Sequence, residues 1–251
     1  MKPRPLFKLT RDKAISESEI PVVQVMNQSA LRAAAVSGEI QPHDLLRING
    51  AEALLSDVAL PDWARAEMTR ASMVVVRRAP IVGDLIPVGV RGRLRSERCA
   101  AFVQLKYVLQ RVKPEDLVVQ RRWSGNPRTS VVPAMRAIEK IAQEWPFPER
   151  AWGPTGSVGF ELATGVHSAT FESDLDLVIR AHERLSNEDA ETLLKTVSHQ
   201  GVSVDIQVET PLGSVSLREF ALPSSKQILV KTCNGPKLVT DPWTLEEGGL
   251  K

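Results

Sequence analysis

Residues 202–209, VSVDIQVE, alternate strictly between apolar and polar side chains. That period of two fits only a half-buried strand: Val202, Val204, Ile206 and Val208 face a core, and Asp205 lies on the opposite, polar face. Residues 173–180, SDLDLVIR, read as a second short strand. Between them Ser186 to Asp189 fits a capping box, and Ala190, Leu193, Leu194 and Val197 share one helix face. Gly201 sits where a helix is closed by a left-handed glycine. Ile228–Thr232, ILVKT, is a further strand candidate. Together these predict a β-rich unit of α+β type over roughly 146–251.

The preceding region is also mixed. Met73–Arg78 (MVVVRR) and Ile86–Val90 read as strands, with Gly83 and Asp84 marking a turn between them. The run SERCAAFVQLKYVLQRV over 96–112 predicts a buried helix, capped by Ser96 and ended before Lys113-Pro114. A second helix is predicted over 129–145, capped by Thr129 or Ser130, with Pro133 tolerated in its first turn. Val131, Met135, Ile138, Ala142 and Trp145 recur there at helical spacing, and Pro146 and Pro148 end it. Ala30–Val36 suggests a short helix in an otherwise aperiodic start. The expected organisation is an α+β protein of two domains: an extension over 1–40, a basic α+β domain over 41–128 and a C-terminal domain over 129–251.

The chain has 251 residues, 43% hydrophobic and 25% charged, which suits a soluble globular protein. No apolar run approaches the ~20 residues of a membrane span, and the first residues lack the apolar core of a secretory signal. Cys99 and Cys233 are far apart and too few for a disulfide framework, so a reducing cytosolic setting is expected. His43, His167, His182 and His199 show no metal-ligand spacing, which argues against zinc. Lys plus Arg number 32 and Asp plus Glu 30, a net charge of +2, so a strongly basic nucleic-acid binder is not expected. That total hides a polarity. Residues 1–150 hold 24 Lys and Arg against 16 Asp and Glu, and residues 151–251 hold 8 against 14. A basic half suits an acidic partner through electrostatic steering.

Asp174 and Asp176 stand two apart on one strand, so both carboxylates share a face while Leu175 and Leu177 turn to the core. Two charges ~6 Å apart repel by nearly ~3 kcal/mol at an effective dielectric of ~20, and Asp205 on a neighbouring strand would add to this. A divalent cation relieves that cost, and an all-oxygen donor set favours magnesium. Upstream, Gly156 lets the backbone approach a phosphate, and Ser157 and the following N–H groups can donate to it. The order of phosphate cradle, carboxylate pair and third carboxylate is the inventory for attack of a hydroxyl on an α-phosphate. Asp-x-Asp alone is common on solvated strand edges; the ordered set is much rarer. Arg77, Arg78, Arg91, Arg93, Arg95 and Arg98 form an arginine-dense stretch suited to phosphate. Arg91 and Arg93, beside glycines, are the arginines picked to contact either a phosphate-bearing ligand or a protein partner, and Lys231 either reaches a phosphate group or is a surface lysine. His43, ahead of Asp44 and Leu45, reads as a helix-capping residue, Cys99 as core, and the tryptophans as packing.

GPTGSVGFELATG (153–165) with SDLDLVI (173–179) resembles the nucleotidyltransferase superfamily of the DNA polymerase β type. The 16 residues between Ser157 and Asp174 exceed that superfamily's usual spacing. The longer gap, with Thr164-Gly165 inside it, is similar to the malonate decarboxylase holo-acyl-carrier-protein synthases, or phosphoribosyl-dephospho-CoA transferases. PHDLL (42–46), VVVRRAP (74–80), PVGVRGRLRSERCAAF (87–102), KPEDL (113–117), LVKTCNGPKLV (229–239) and DPW (241–243) resemble the same family in order. The resemblance implies a mixed β-sheet flanked by helices in the C-terminal domain. It implies triphosphoribosyl-dephospho-CoA as donor and a serine of the apo acyl-carrier-protein subunit of malonate decarboxylase as acceptor, with pyrophosphate released. Asp174 and Asp176 would hold Mg2+, Gly156 and Ser157 would bind the triphosphate, and Asp205 would be a third carboxylate able to assist deprotonation. Two rivals stand beside it: a nucleotidyltransferase using a plain nucleoside triphosphate, and an inactive binding module of the same fold.

Overall fold

The computed structural model describes residues 39–94, 96–198, 200–222 and 227–244; the helix expected over Ala30–Val36 lies outside them. The described residues form a mixed α+β structure built on two six-stranded sheets. The first sheet takes β1 (Leu45–Ile48), β2 (Leu54–Leu55), β3 (Met73–Val76), β4 (Leu85–Arg91), β5 (Arg98–Gln104) and β6 (Val108–Val112) in the order β2-β5-β4-β3-β1-β6. All of its pairings are antiparallel. One face packs on α1 (Asp62–Ala71): Ala64 and Met68 meet a layer that includes Leu46, Val74, Val88 and Val103. Two expected strands are thus present.

The helix expected over 96–112 is not. That stretch is β5, a 3-10 turn at Leu105–Tyr107, and β6. Cys99, Ala101 and Val103 are buried, whereas Arg98 and Ala100 are exposed, which is the period of a strand. Each of the buried three lies opposite a buried residue of β4, at Val90↔Cys99, Val88↔Ala101 and Ile86↔Val103. A short apolar run of this kind carries no clear period, so the pairing partner decides its state.

A short α2 (Pro114–Val119) and a 3-10 turn (Pro127–Ser130) lead to α3 (Pro133–Glu144). This is the second predicted helix, started later than expected. Thr129 and Ser130 belong to the turn ahead of it, where their hydroxyls donate to the Trp123 and Pro127 carbonyls. Val132 takes the capping position with Pro133 first in the helix, and Val131 is exposed.

The second sheet runs β12-β11-β10-β9-β8-β7, from β7 (Trp152–Pro154), β8 (Leu175–Arg180), β9 (Val204–Thr210), β10 (Gly213–Ser216), β11 (Ile228–Thr232) and β12 (Gly235–Val239). It carries α4 (Gly156–Thr164), α5 (Asn187–Ser198) and α6 (Leu217–Phe220). The expected capping box is present at α5: Asp189 N donates to Ser186 Oγ at 3.0 Å. This helix is the crossover that makes β8 and β9 parallel.

The sheets share a core, because Leu45, Met73 and Val112 pack with the buried residues of the second sheet. The halves are also tied by charge. Asp44, fully buried, accepts from Arg111 of β6 at 2.8 Å and from Arg180 of β8 at 3.0 Å. At the seam, Gly153 of β7 lies so close to α2 that a Cβ there would sit 2.0 Å from the Pro114 carbonyl oxygen.

Candidate active site

A cavity of about 490 Å3 opens between the two halves. One wall comes from β8, β9, β11 and the start of α4, and the other from β3, β4, β5 and the turn ahead of β1.

The parallel register puts Asp176 directly beside Asp205. Each is the second residue of its strand. Leu175, Leu177, Val204 and Ile206 are buried in the core, so both carboxylates go to the other face, toward the cavity. Burial pushes the Asp176 carboxyl above the usual range, and the charge of Asp205 pushes it further. Arg91 opposes that rise, Asp174 adds to it, and His43 opposes it weakly. Asp174 precedes β8, is exposed, and acts on the site through its charge rather than by lining the cavity.

The first turn of α4 faces the same carboxylate. Gly156 has φ 60°, and a Cβ there would fall 1.9 Å from Asp176 Oδ2, so no side chain fits. Thr155 is the capping residue but gives no side-chain hydrogen bond to the helix. Gly159 N is bonded to the Thr155 carbonyl, so the amides of Gly156, Ser157 and Val158 precede the helical ladder. Such a helix start suits an anion. The Ser157 hydroxyl is turned the other way: it is buried and stands 3.4 Å from Ser173 Oγ. Ser157 itself does not line the cavity; of the first turn of α4, Gly156 and Gly159 do.

The long spacing between Ser157 and Asp174 has a structural reason. Glu161, buried on α4, accepts from the amides of Ser168 and Ala169 at 2.8 and 2.9 Å. Arg128 bonds the same carboxylate and the Ala169 carbonyl. This pins the segment after Thr164-Gly165 against α4 and delivers the chain to β8 at Asp174.

On the opposite wall Arg77, Arg91 and Arg98 line the cavity, the last two directly opposite each other across β4 and β5. Arg93, chosen beside Arg91 from the sequence, points elsewhere: it is exposed, 3.4 Å from Glu67, and does not line the cavity. Lys231 does line it, with Nζ 3.3 Å from Gln207 Oε1.

His43 corrects the expectation of a helix cap. It occupies the turn ahead of β1, with φ 74°, and its side chain lines the cavity. Its Nε2 lies 3.4 Å from Glu209 Oε1, the oxygen that Arg78 also bonds. Burial alone would raise Glu209, but the hydrogen bond from His43 and the charge and hydrogen bond of Arg78 hold its carboxyl at about 2. Histidine types and spacing gave no sign of this. The one usable signal was the segment PHDLL, where a charged residue sits next to an apolar strand.

Among the described residues no three His, Cys, Asp or Glu side chains are grouped to hold a metal ion unaided. Magnesium is usually held by one or two carboxylates with substrate phosphates and water completing the shell. Asp176 and Asp205 beside an anion-binding helix start fit that donor set.

The chain matches the phosphoribosyl-dephospho-CoA transferase MdcG N-terminal domain over residues 41–114 and its C-terminal domain over 120–242. Its relatives include the phosphoribosyl-dephospho-CoA transferase of Pseudomonas syringae pv. tomato, 38% identical over 83% of this chain and 95% of the relative. The chain belongs to the phosphoribosyl-dephospho-CoA transferase family. Members so named in Azotobacter vinelandii and Klebsiella pneumoniae (strain 342) are each 39% identical, covering 81% and 84% of this chain and 94% and 100% of their own lengths. No solved structure matches the chain. Family membership gives both halves a place: the N-terminal family domain supplies the arginine wall, the C-terminal one the carboxylates and the helix start.

Proposed function

We propose that this chain transfers a phosphoribosyl-dephospho-CoA arm from triphosphoribosyl-dephospho-CoA to a serine of the acyl-carrier-protein subunit of malonate decarboxylase, in the cytosol. The observation that carries the reading is the pairing of Asp176 with Asp205 opposite the start of α4, inside one cavity. The names of the relatives support the CoA-derived donor.

In this reaction the serine oxygen forms a bond to the α-phosphorus, and the bond from that phosphorus to the pyrophosphate oxygen breaks. The amides of Gly156, Ser157 and Val158 receive the terminal phosphates. Arg77, Arg91 and Arg98 hold the donor's charge from the other wall, and Lys231 steadies the departing pyrophosphate. Asp176 and Asp205 would hold Mg2+, with the charge of Asp174 close by. Mg2+, when bound, neutralises charge that develops on the phosphate oxygens.

The test is to incubate the full chain with apo carrier protein, Mg2+ and triphosphoribosyl-dephospho-CoA and weigh the carrier by mass spectrometry. A gain of one phosphoribosyl-dephospho-CoA unit is expected. A gain of a nucleoside monophosphate from ATP, and none from the CoA-derived donor, would assign the site to a plain nucleotidyltransferase instead.

A further inference from the structure

The geometry points to His43 as the group that takes the proton from the attacking serine hydroxyl, with Glu209 holding the imidazole in its working orientation. This rests on the transfer reaction proposed above. It assigns the proton to a residue from the other half of the molecule than the carboxylates.

Four observations lead to it. First, His43 keeps a left-handed backbone, φ 74°, which costs a side-chain-bearing residue about 1–3 kcal/mol and persists only where the surroundings enforce it. The enforcement is visible. His43 N donates to the Val76 carbonyl at 3.1 Å, and Asp44, next in the chain, is clamped by the Gln41 amide, Arg111 and Arg180. Second, the imidazole lines the same cavity as Asp176 and Gly156, and is near enough to Asp176 for its charge to act on that carboxylate. Third, Nε2 faces Glu209 at 3.4 Å. A carboxylate accepts only, so Nε2 carries the proton, and in the neutral ring Nδ1 is the acceptor. Fourth, Arg78 grips the same glutamate oxygen, which keeps Glu209 ionised and fixed. A carboxylate, a histidine it orients, and a substrate hydroxyl form a familiar order for activating a nucleophile.

The other bases in the cavity are less suited. Asp176 and Asp205 are committed to the cation in the proposed reaction, and Lys231 and the arginines are donors. In the step itself the serine proton passes to His43 Nδ1 as the serine oxygen bonds the α-phosphorus. Pyrophosphate departs with the electron pair of the broken bond, and the proton leaves His43 to water. The charged groups facing the ring are Glu209 from β9, Arg78 from the segment after β3 and Asp176 from β8, with Arg77 and Arg91 on the same cavity.

The test uses the full chain, apo carrier protein, Mg2+ and the CoA-derived donor, with kcat and KM followed from about pH 5 to 9. Asparagine tolerates a left-handed backbone, so His43→Asn is the first variant. We expect kcat to fall about 100-fold or more with donor KM within about threefold, and the acid limb of the kcat profile to vanish. Glu209→Ala, which removes the carboxylate that orients the ring, should lower kcat about tenfold or more with donor KM within about threefold. A wild-type chain that transfers nothing overturns the transfer reading and this inference with it. A wild-type chain that transfers, beside a His43→Asn variant with unchanged kcat and pH profile, overturns this inference alone. Should His43→Asn lose its circular dichroism signal, Glu209→Ala decides: a kcat within about twofold of wild type overturns the inference.

Discussion

The two sheets have the same number of strands and differ in one pairing. The N-terminal sheet is antiparallel throughout, while the C-terminal sheet has one parallel pair, β8 with β9. That pair is where the carboxylates meet. Asp176 and Asp205 each stand second in their strands, so parallel strands bring them side by side, whereas antiparallel strands of this length would put them at opposite ends. The N-terminal sheet uses its antiparallel register differently, setting Arg91 against Arg98 on the facing wall. One sheet brings negative charge to the cavity and the other positive charge, the pairing that the proposed magnesium polyphosphate donor would complement.

If chemistry belongs to the C-terminal sheet and donor capture to the N-terminal one, equivalent charge deletions should have different effects. Asp176→Asn should lower kcat by about 10³-fold, since charge stabilisation at the reacting phosphate is lost. Arg98→Ala should raise donor KM by about tenfold with kcat little changed, the loss of one charge-assisted contact. Steady-state kinetics with the CoA-derived donor separates them, and a tenfold kcat loss in both would erase the division of labour. Stability should move the other way for Asp176. Its carboxyl is raised, so the folded chain holds that proton more tightly than the unfolded chain. The ionised form opposes folding as pH rises above the ordinary carboxylate value. Without divalent cation at pH 7, Asp176→Asn should therefore melt at or above the wild-type temperature.

The same contrast governs what the sequence made legible. The C-terminal sheet announced itself through strict alternation at 202–209, the capping box at Ser186 and Asp-x-Asp in an apolar strand. Those are local signals, and the structure brings Gly156, Asp176 and Asp205 together. The N-terminal sheet was harder. Residues 96–112 read as a helix because Cys99 to Val103 is all apolar, and only the pairing of β5 with β4 on one side and β2 on the other explains why it extends. Arg93 and Arg91 looked equivalent, since both have glycine neighbours. They differ because Arg91 is within the strand and Arg93 lies past its end, against Glu67. His43 was illegible for a related reason: its role depends on Glu209, 166 residues away in the chain, and on a left-handed turn set by the burial of Asp44.

Glu209 also tests how much its own charge contacts with His43 and Arg78 add to the joint between the halves. Its carboxyl is held at about 2, below the ordinary 4.5 of an unfolded chain. The stabilisation is therefore complete above pH 4.5 and is lost as pH falls toward 2. A displacement of this size is worth roughly 3 kcal/mol. Urea unfolding should show the wild type more stable than Glu209→Gln by about 2–3 kcal/mol at pH 6, with the gap closing as pH falls toward 2. A gap that stays constant with pH would remove Glu209 from the charge joint, leaving the buried Asp44–Arg180 pair and the shared core to hold the halves together.

The smallest expected effect concerns the charge asymmetry outside the cavity. Residues 1–150 carry 24 basic against 16 acidic side chains and residues 151–251 carry 8 against 14, so the proposed carrier protein, if acidic, would be drawn to the arginine-bearing half. Attraction of that kind acts over about 10 Å at ~0.1 M salt and about 3 Å at ~1 M. Raising salt from about 0.05 to 0.5 M should thus increase the carrier KM several-fold, while kcat at saturating carrier changes by less than about twofold. If the donor binds in the cavity as proposed, its direct contacts with partly buried Arg91 are screened less than long-range attraction, so its KM should move less than the carrier's. Equal salt dependence of the two KM values would place the carrier's main contacts in the cavity itself, and a flat carrier KM would confine the role of the basic half to the donor.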